Sequence, residues 1–141
     1  MSNNCHERYI LDAYAVLCYL EDESQAEKIA LLLKKAVDKQ ISLFMTWINL
    51  GEVYYRVWRE YGETKAQEVL ETIKAWPVSL LPGDEDLTLK AAKIKANNPL
   101  SYADAYAIAA ALKKNAAVVT GDREIRDVSD KIKFSIVWLG S

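Results

Sequence analysis

Hydrophobic and polar positions along the chain alternate between two periods. Short apolar runs bounded by polar or turn residues predict buried strands at 8–11, 41–45, 78–81, 116–119 and 136–139. Between them apolar residues return at helical spacing, as at Ala26, Ile29, Ala30, Leu33 and Val37. The pattern predicts a helix over Ala13 to Leu20, then a second opened by a capping box at Ser24-Gln25-Ala26-Glu27. A long third helix follows Thr46, carries Leu50, Val53, Tyr54 and Val57, and ends at Gly62. A fourth runs from about Glu63 to Ala75, where Trp76-Pro77 stops it, because proline disfavours helix in the residue before it. Pro82-Gly83 turns the chain into a helix from about Asp84 to Ala96, and Asn97-Asn98-Pro99 breaks it. Ser101-Tyr102-Ala103-Asp104 is a second capping signature and opens an alanine-rich helix that reaches Lys114. Strands alternating with helices predict an α/β fold with a mainly parallel sheet covered by helices on both faces. The length of 141 residues fits a single domain over 1–141, with 1–7 as a flexible N-terminal tail.

Four acids stand out against this frame. Asp12 and Asp122 directly follow apolar strands, and in a parallel sheet both emerge at the same edge. Glu52 falls in the second turn after Thr46, and Asp104 in the first turn after Ser101. Helices that begin near the strand ends point these acids into one crevice, and each helix N-terminus favours an anion. Carboxylates gathered this closely repel one another, and a hard divalent cation removes that cost. A ligand set of oxygens without histidine or thiol suits Mg²⁺ or Mn²⁺ better than zinc. The chemistry expected is metal-assisted hydrolysis of a phosphodiester. Each acid also has a plain structural reading. Asp12 is placed to cap a helix, Asp104 to complete a capping box, Glu52 to pair with Arg56 at i+4, and Asp122 to serve a turn. Their joint placement favours a shared site.

Composition narrows the chemistry further. With His6 as its only histidine, in the expected tail beside Cys5, the chain is poorly equipped for a Ser-His-Asp or Cys-His mechanism. Cys5 and Cys18 are too few for a disulfide framework or a zinc cluster, and Cys18 reads as a small core residue. The net charge of −2 does not by itself suggest nucleic acid. The first eight residues lack the apolar centre of a signal peptide and no apolar run approaches a membrane span, so a cytoplasmic protein is expected. Trp47, Trp58, Trp76 and Trp138 are expected in the core or in interfaces rather than as base-stacking platforms. Arg56, Arg59, Arg123 and Arg126 are the candidate phosphate contacts.

The chain resembles a PIN domain, and among those the VapC-type toxin ribonucleases of type II toxin-antitoxin systems. The resemblance spans nearly the whole chain and rests on four segments in order. They are Ile10-Leu11-Asp12, then Thr46 with Asn49-Leu50-Gly51-Glu52, then Ser101 through Ala111, and Val118-Val119-Thr120-Gly121-Asp122. The resemblance implies a three-layer α/β/α sandwich and Mg²⁺ or Mn²⁺ at Asp12, Glu52, Asp104 and Asp122. It implies endoribonuclease action on single-stranded RNA, a homodimer and a cognate antitoxin that blocks the site. Thr120 matches a hydroxyl that supports the last Asp. One departure is Ala13, where the family usually carries Ser or Thr after the first Asp.

Other α/β chemistries fit less well. A haloacid-dehalogenase-like phosphatase needs a second Asp two residues after Asp12, where Tyr14 stands, and a receiver domain needs a lysine at a later strand end. The alternative that Ala13 keeps open is a catalytically weak or inactive PIN-like module that binds RNA or a protein partner.

Overall fold

The computed structural model describes residues 6–140. The chain opens with β1 (Glu7–Leu11) and α1 (Ala13–Leu20), followed by α2 (Ala26–Val37) and β2 (Ile41–Thr46). Next come α3 (Trp47–Tyr61), α4 (Glu63–Lys74) and β3 (Val78–Leu81). The second half holds α5 (Glu85–Asn97), α6 (Tyr102–Lys114), β4 (Ala117–Thr120), α7 (Arg123–Asp127), α8 (Ser129–Ile132) and β5 (Ile136–Trp138). Glu7 already pairs in the sheet, opposite Ile41, so it belongs to β1 and not to the expected tail. Of the Cys5–His6 pair, Cys5 lies outside the described residues; His6 is exposed, with Nε2 2.9 Å from Ser42 Oγ.

The five strands form one sheet in the order β3-β2-β1-β4-β5, and every pair is parallel. Register explains how continuous apolar runs fill both faces. Ile10 lies opposite Phe44 and Val118, and these three point to one side. Leu11, Leu43, Met45 and Val119 point to the other. The second side is covered by α1, α2, α3 and α4, through Val16, Ile29, Leu50, Val53, Val69 and Ile73. The first is covered by α5, α6 and α7, through Leu87, Ala91, Ile108 and Ile125. The result is the expected three-layer α/β/α sandwich, with a sheet that is wholly rather than mainly parallel.

Local chemistry accounts for most boundaries. Thr46 Oγ1 accepts from the Asn49 amide at 2.9 Å and caps α3. Gly62 takes φ +93°, a conformation that only glycine adopts without strain, and so ends α3 and starts α4 in one residue. Asp84 caps α5, and Asn115 ends α6 in the left-handed region. The capping box expected at Ser24 does not form: Gln25 occupies the cap position and makes no side-chain cap bond. The chain enters α2 instead through backbone turns, with the Ala26 amide donating to Glu23 carbonyl oxygen at 2.9 Å. Trp47 and Trp58 are not core residues, being 43% and 42% exposed.

Helix α6 carries Asp104 and packs closely on the sheet. Ala105, Ala107, Ala109, Ala110 and Ala111 are fully or almost fully buried, and their small side chains let the helix lie directly on β1, β2 and β4. The chain runs from β1 outward to β2 and β3, then returns to place β4 on the other side of β1. The strand order therefore reverses between β1 and β4. In open α/β sheets that reversal leaves a crevice at the carboxyl ends of the two strands.

Candidate metal centre

Asp12 and Asp122 stand at the carboxyl ends of β1 and β4, on either side of the reversal. Asp12 caps α1, with Oδ1 accepting from the Ala15 amide at 2.8 Å, and is only 2% exposed. The capping reading thus holds, and capping leaves Asp12 at the crevice. Burial raises its carboxyl to about 7, against the pull of the Thr120 hydroxyl and the Ala15 amide, and the charges of Asp122 and Glu52 raise it further.

Asp104 sits in the first turn of α6, one turn after its cap, where Ser101 Oγ accepts from the Asp104 amide at 3.1 Å. It is 8% exposed. Burial, the charge of Asp122, a hydrogen bond shared with that residue and the charge of Asp12 raise its carboxyl to about 8. Asp122 caps the short α7 by accepting from the Glu124 amide at 2.8 Å. Thr120, fully buried, accepts from the Asp122 amide at 2.9 Å and also faces Asp12, so one hydroxyl orients the loop between two acids.

Asp12, Asp104 and Asp122 therefore act on one another and form a single acidic cluster. Glu52 stands at its edge. Its charge reaches Asp12, while its side chain pairs with Arg56 Nε at 3.5 Å, the i+4 partner read from the sequence. The sequence reading missed Glu124. Carboxylate oxygens of Asp104, Asp122 and Glu124 lie within 4.8 Å of one another. The signal was the Asp122-Arg123-Glu124 pattern, legible only if a helix is recognised to start at Arg123.

Two buried carboxyls with raised pKa values, Asp12 and Asp104, set beside further carboxylate oxygens fit a hard divalent cation, which favours oxygen ligands. The N-termini of α1, α3, α6 and α7 face the same edge and help to hold negative charge there. Ala13 turns its methyl into the core on the α1 side, so Thr120 is the hydroxyl that serves Asp12. The ring of Tyr14 lies so close over Gly121 that a Cβ there would overlap it, which makes the loop before Asp122 a place for glycine.

Asn49 fixes the spacing of the two helices that carry Glu52 and Asp104. It is almost fully buried, is held by the Thr46 hydroxyl, and donates through Nδ2 to the Ala103 carbonyl at 3.1 Å. Asn49→Ala is expected to destabilise the fold by about 1–3 kcal/mol, since it leaves the buried Thr46 hydroxyl without its acceptor and removes the tie to α6. Urea unfolding measures this, and a loss below about 0.5 kcal/mol would show that the bridge is not structural.

Residues 9–131 match the family model of the PIN domain. The chain belongs to the PIN domain family. Among solved structures it is similar to VapBC2 from Rickettsia felis bound to a promoter DNA fragment, at 14% identity and a TM-score of 0.68, covering 92% of this chain and 97% of that one. VapBC-1 from nontypeable Haemophilus influenzae is similar at 19% identity and a TM-score of 0.67, covering 93% and 97%. So is Mycobacterium tuberculosis VapC20, described as a sarcin-ricin loop cleaving toxin, at 14% identity and a TM-score of 0.67, covering 86% and 95%. At such identities the likeness is one of fold. No curated protein matches the chain.

Proposed function

We propose that this protein is a Mg²⁺- or Mn²⁺-dependent endoribonuclease and the toxin of a type II toxin-antitoxin pair. The observation that carries the reading is the cluster of buried Asp12 and Asp104 with half-buried Asp122 at the strand reversal of a PIN domain. Those three acids and Glu52 are the proposed metal ligands, with Glu124 placed to join them. A divalent ion held there supplies Lewis acidity to a phosphodiester and lowers the pKa of a bound water. The chain's own residues do the rest. Thr120 and the Ala15 amide hold Asp12 in place, Ser101 sets the turn that presents Asp104, and Arg56 keeps Glu52 at the rim.

The VapBC neighbours support a protein antitoxin as partner. A homodimer is proposed as well, and Tyr55, Trp58 and Tyr61, exposed along α3, offer apolar area for a second copy. Among the described residues no helix is long and apolar enough to cross a membrane, and the cytoplasm is the proposed location.

The test is cleavage of a single-stranded RNA by the purified protein. Activity is expected with Mg²⁺ or Mn²⁺ and is expected to vanish in excess chelator. Undiminished cleavage by repurified protein in chelator would overturn the mechanism, and no cleavage with either ion would favour the binding-module alternative.

A further inference from the structure

Three large aromatic side chains are exposed around the acidic crevice. Tyr14 is the second residue of α1, Trp47 the first of α3 and Tyr102 the first of α6, and they are 43%, 43% and 42% exposed. Each belongs to the opening turn of a helix that begins at the crevice edge and carries or adjoins one of its acids. Tyr14 leans over Gly121, beside Asp122. The Tyr102 ring lies 5.0 Å from that of Tyr106, and a Cβ added at Gly83, beyond β3, would meet both Tyr106 and Ile48, the neighbour of Trp47. The three residues thus stand at helix starts along the sheet edge that holds the crevice, from the β4 side to the β3 side.

We infer that Tyr14, Trp47 and Tyr102 form a stacking rim for the unpaired bases of a single-stranded RNA whose backbone crosses the acids. This rests on the proposed function and extends it to the grip on substrate. Two physical points favour stacking over phosphate contact. The chain carries a net charge of −2, so it offers little general attraction for a polyanion. Four of its five arginines are also engaged within the molecule. Arg56 pairs with Glu52, Arg59 lies over Tyr55, Arg126 lies over Trp138, and Arg8 donates to the Lys114 carbonyl. Exposed rings supply what is lacking, because every base has a face to stack and a duplex keeps those faces covered.

The experiment measures binding of fluorescent oligonucleotide probes, about twelve nucleotides long to span a single-strand site, with Mn²⁺, to the Asp104→Asn protein, which the proposed function makes inactive. The probes are oligoadenylate, oligouridylate, an abasic strand of the same length and a duplex. The expected order is oligoadenylate tightest, then oligouridylate, with the abasic strand and the duplex weak. Tyr14→Ala, Trp47→Ala and Tyr102→Ala, added singly, are expected to weaken oligoadenylate binding by roughly 5- to 150-fold. The corresponding Phe variants stay close to the parent. Leu variants keep the apolar bulk and so the fold, and they are expected to lose affinity as the Ala variants do. Equal binding of abasic and adenylate strands, or unchanged affinity in the Ala and Leu variants, would overturn the inference. So would variants that become monomeric while binding RNA normally, which would make the rim a surface for a second copy. If the wild type cleaves RNA and the ring variants bind like the parent, only this inference fails. If the wild type cleaves nothing and the parent binds no probe, the proposed function fails with it.

Discussion

The Asp104→Asn protein is expected to lose cleavage activity by at least about 100-fold, since it removes one of the few proposed metal ligands in the crevice. Asparagine nearly matches the shape of aspartate, and the Ser101 cap acts through the Asp104 backbone amide, so α6 should start where it does now. The charge is what changes. In the metal-free protein Asp104 lies buried beside Asp122 and Asp12, and its ionised form is disfavoured by both. An amide relieves that repulsion. The same substitution is therefore expected to raise the melting temperature in chelator at about pH 8, where the raised carboxyl ionises, while abolishing activity with Mn²⁺. An Asp104→Asn protein with normal activity would remove this residue from the site. One that is inactive but unfolded would be uninformative about chemistry, so the melting curve is measured on the same sample.

Metal-free wild type is expected to lose stability as the pH rises from about 4 to about 8, relative to Asp104→Asn. The carboxyls of Asp12 and Asp104 are raised to about 7 and about 8 in the folded protein, against about 4 when unfolded. A group with a raised folded-state pKa contributes stability that is complete below the unfolded value. That contribution disappears as the pH climbs through the folded value. Metal is expected to reverse the loss, because a cation that binds only the folded state adds about 2.7 kcal/mol at a hundredfold excess over its Kd. For a domain of this size that raises Tm on the order of 10 °C. Binding must displace protons from the two raised carboxyls, so the metal-induced shift should grow between about pH 6 and about pH 8.5. Thermal melting with chelator and with a Mn²⁺ titration, at several pH values, reads all of this. Equal melting temperatures for wild type and Asp104→Asn throughout would mean that these carboxylates do not share a site.

The layering was legible because each strand is short, mostly apolar and bounded by a cap or turn. Such a run does not say which residue faces which layer. Ile10 and Leu11 look alike in the sequence, and only the register with Phe44 and Val119 separates them into two cores. The helices α7 and α8 were invisible for a different reason. At five and four residues they are too short to show a helical period, and Glu124 went unnoticed with them. Ser24 misled because its spacing to Glu27 matches a capping box, while the backbone turns ahead of α2 leave the cap position to Gln25. The acids at Asp12, Asp104 and Asp122 were readable because strand ends and caps are local signals. The Glu52–Arg56 pair was readable too, as an i+4 spacing, yet the sequence could not show that one carboxylate faces the arginine and the crevice together.

The pairing of β1 with β4 joins segments far apart in the sequence, with Ile10 opposite Val118. Contacts between residues so distant in sequence form late, because the closure entropy of the long loop opposes them until both segments are present. As the chain leaves the ribosome, β1 to β3 and the helices between them can assemble first. Asp12 and Asp104 wait for β4 to dock before Asp122 joins them. The crevice is thus absent from any nascent chain that stops short of Asp122, and a partner that recognises the folded crevice has nothing to hold until β4 has emerged and docked.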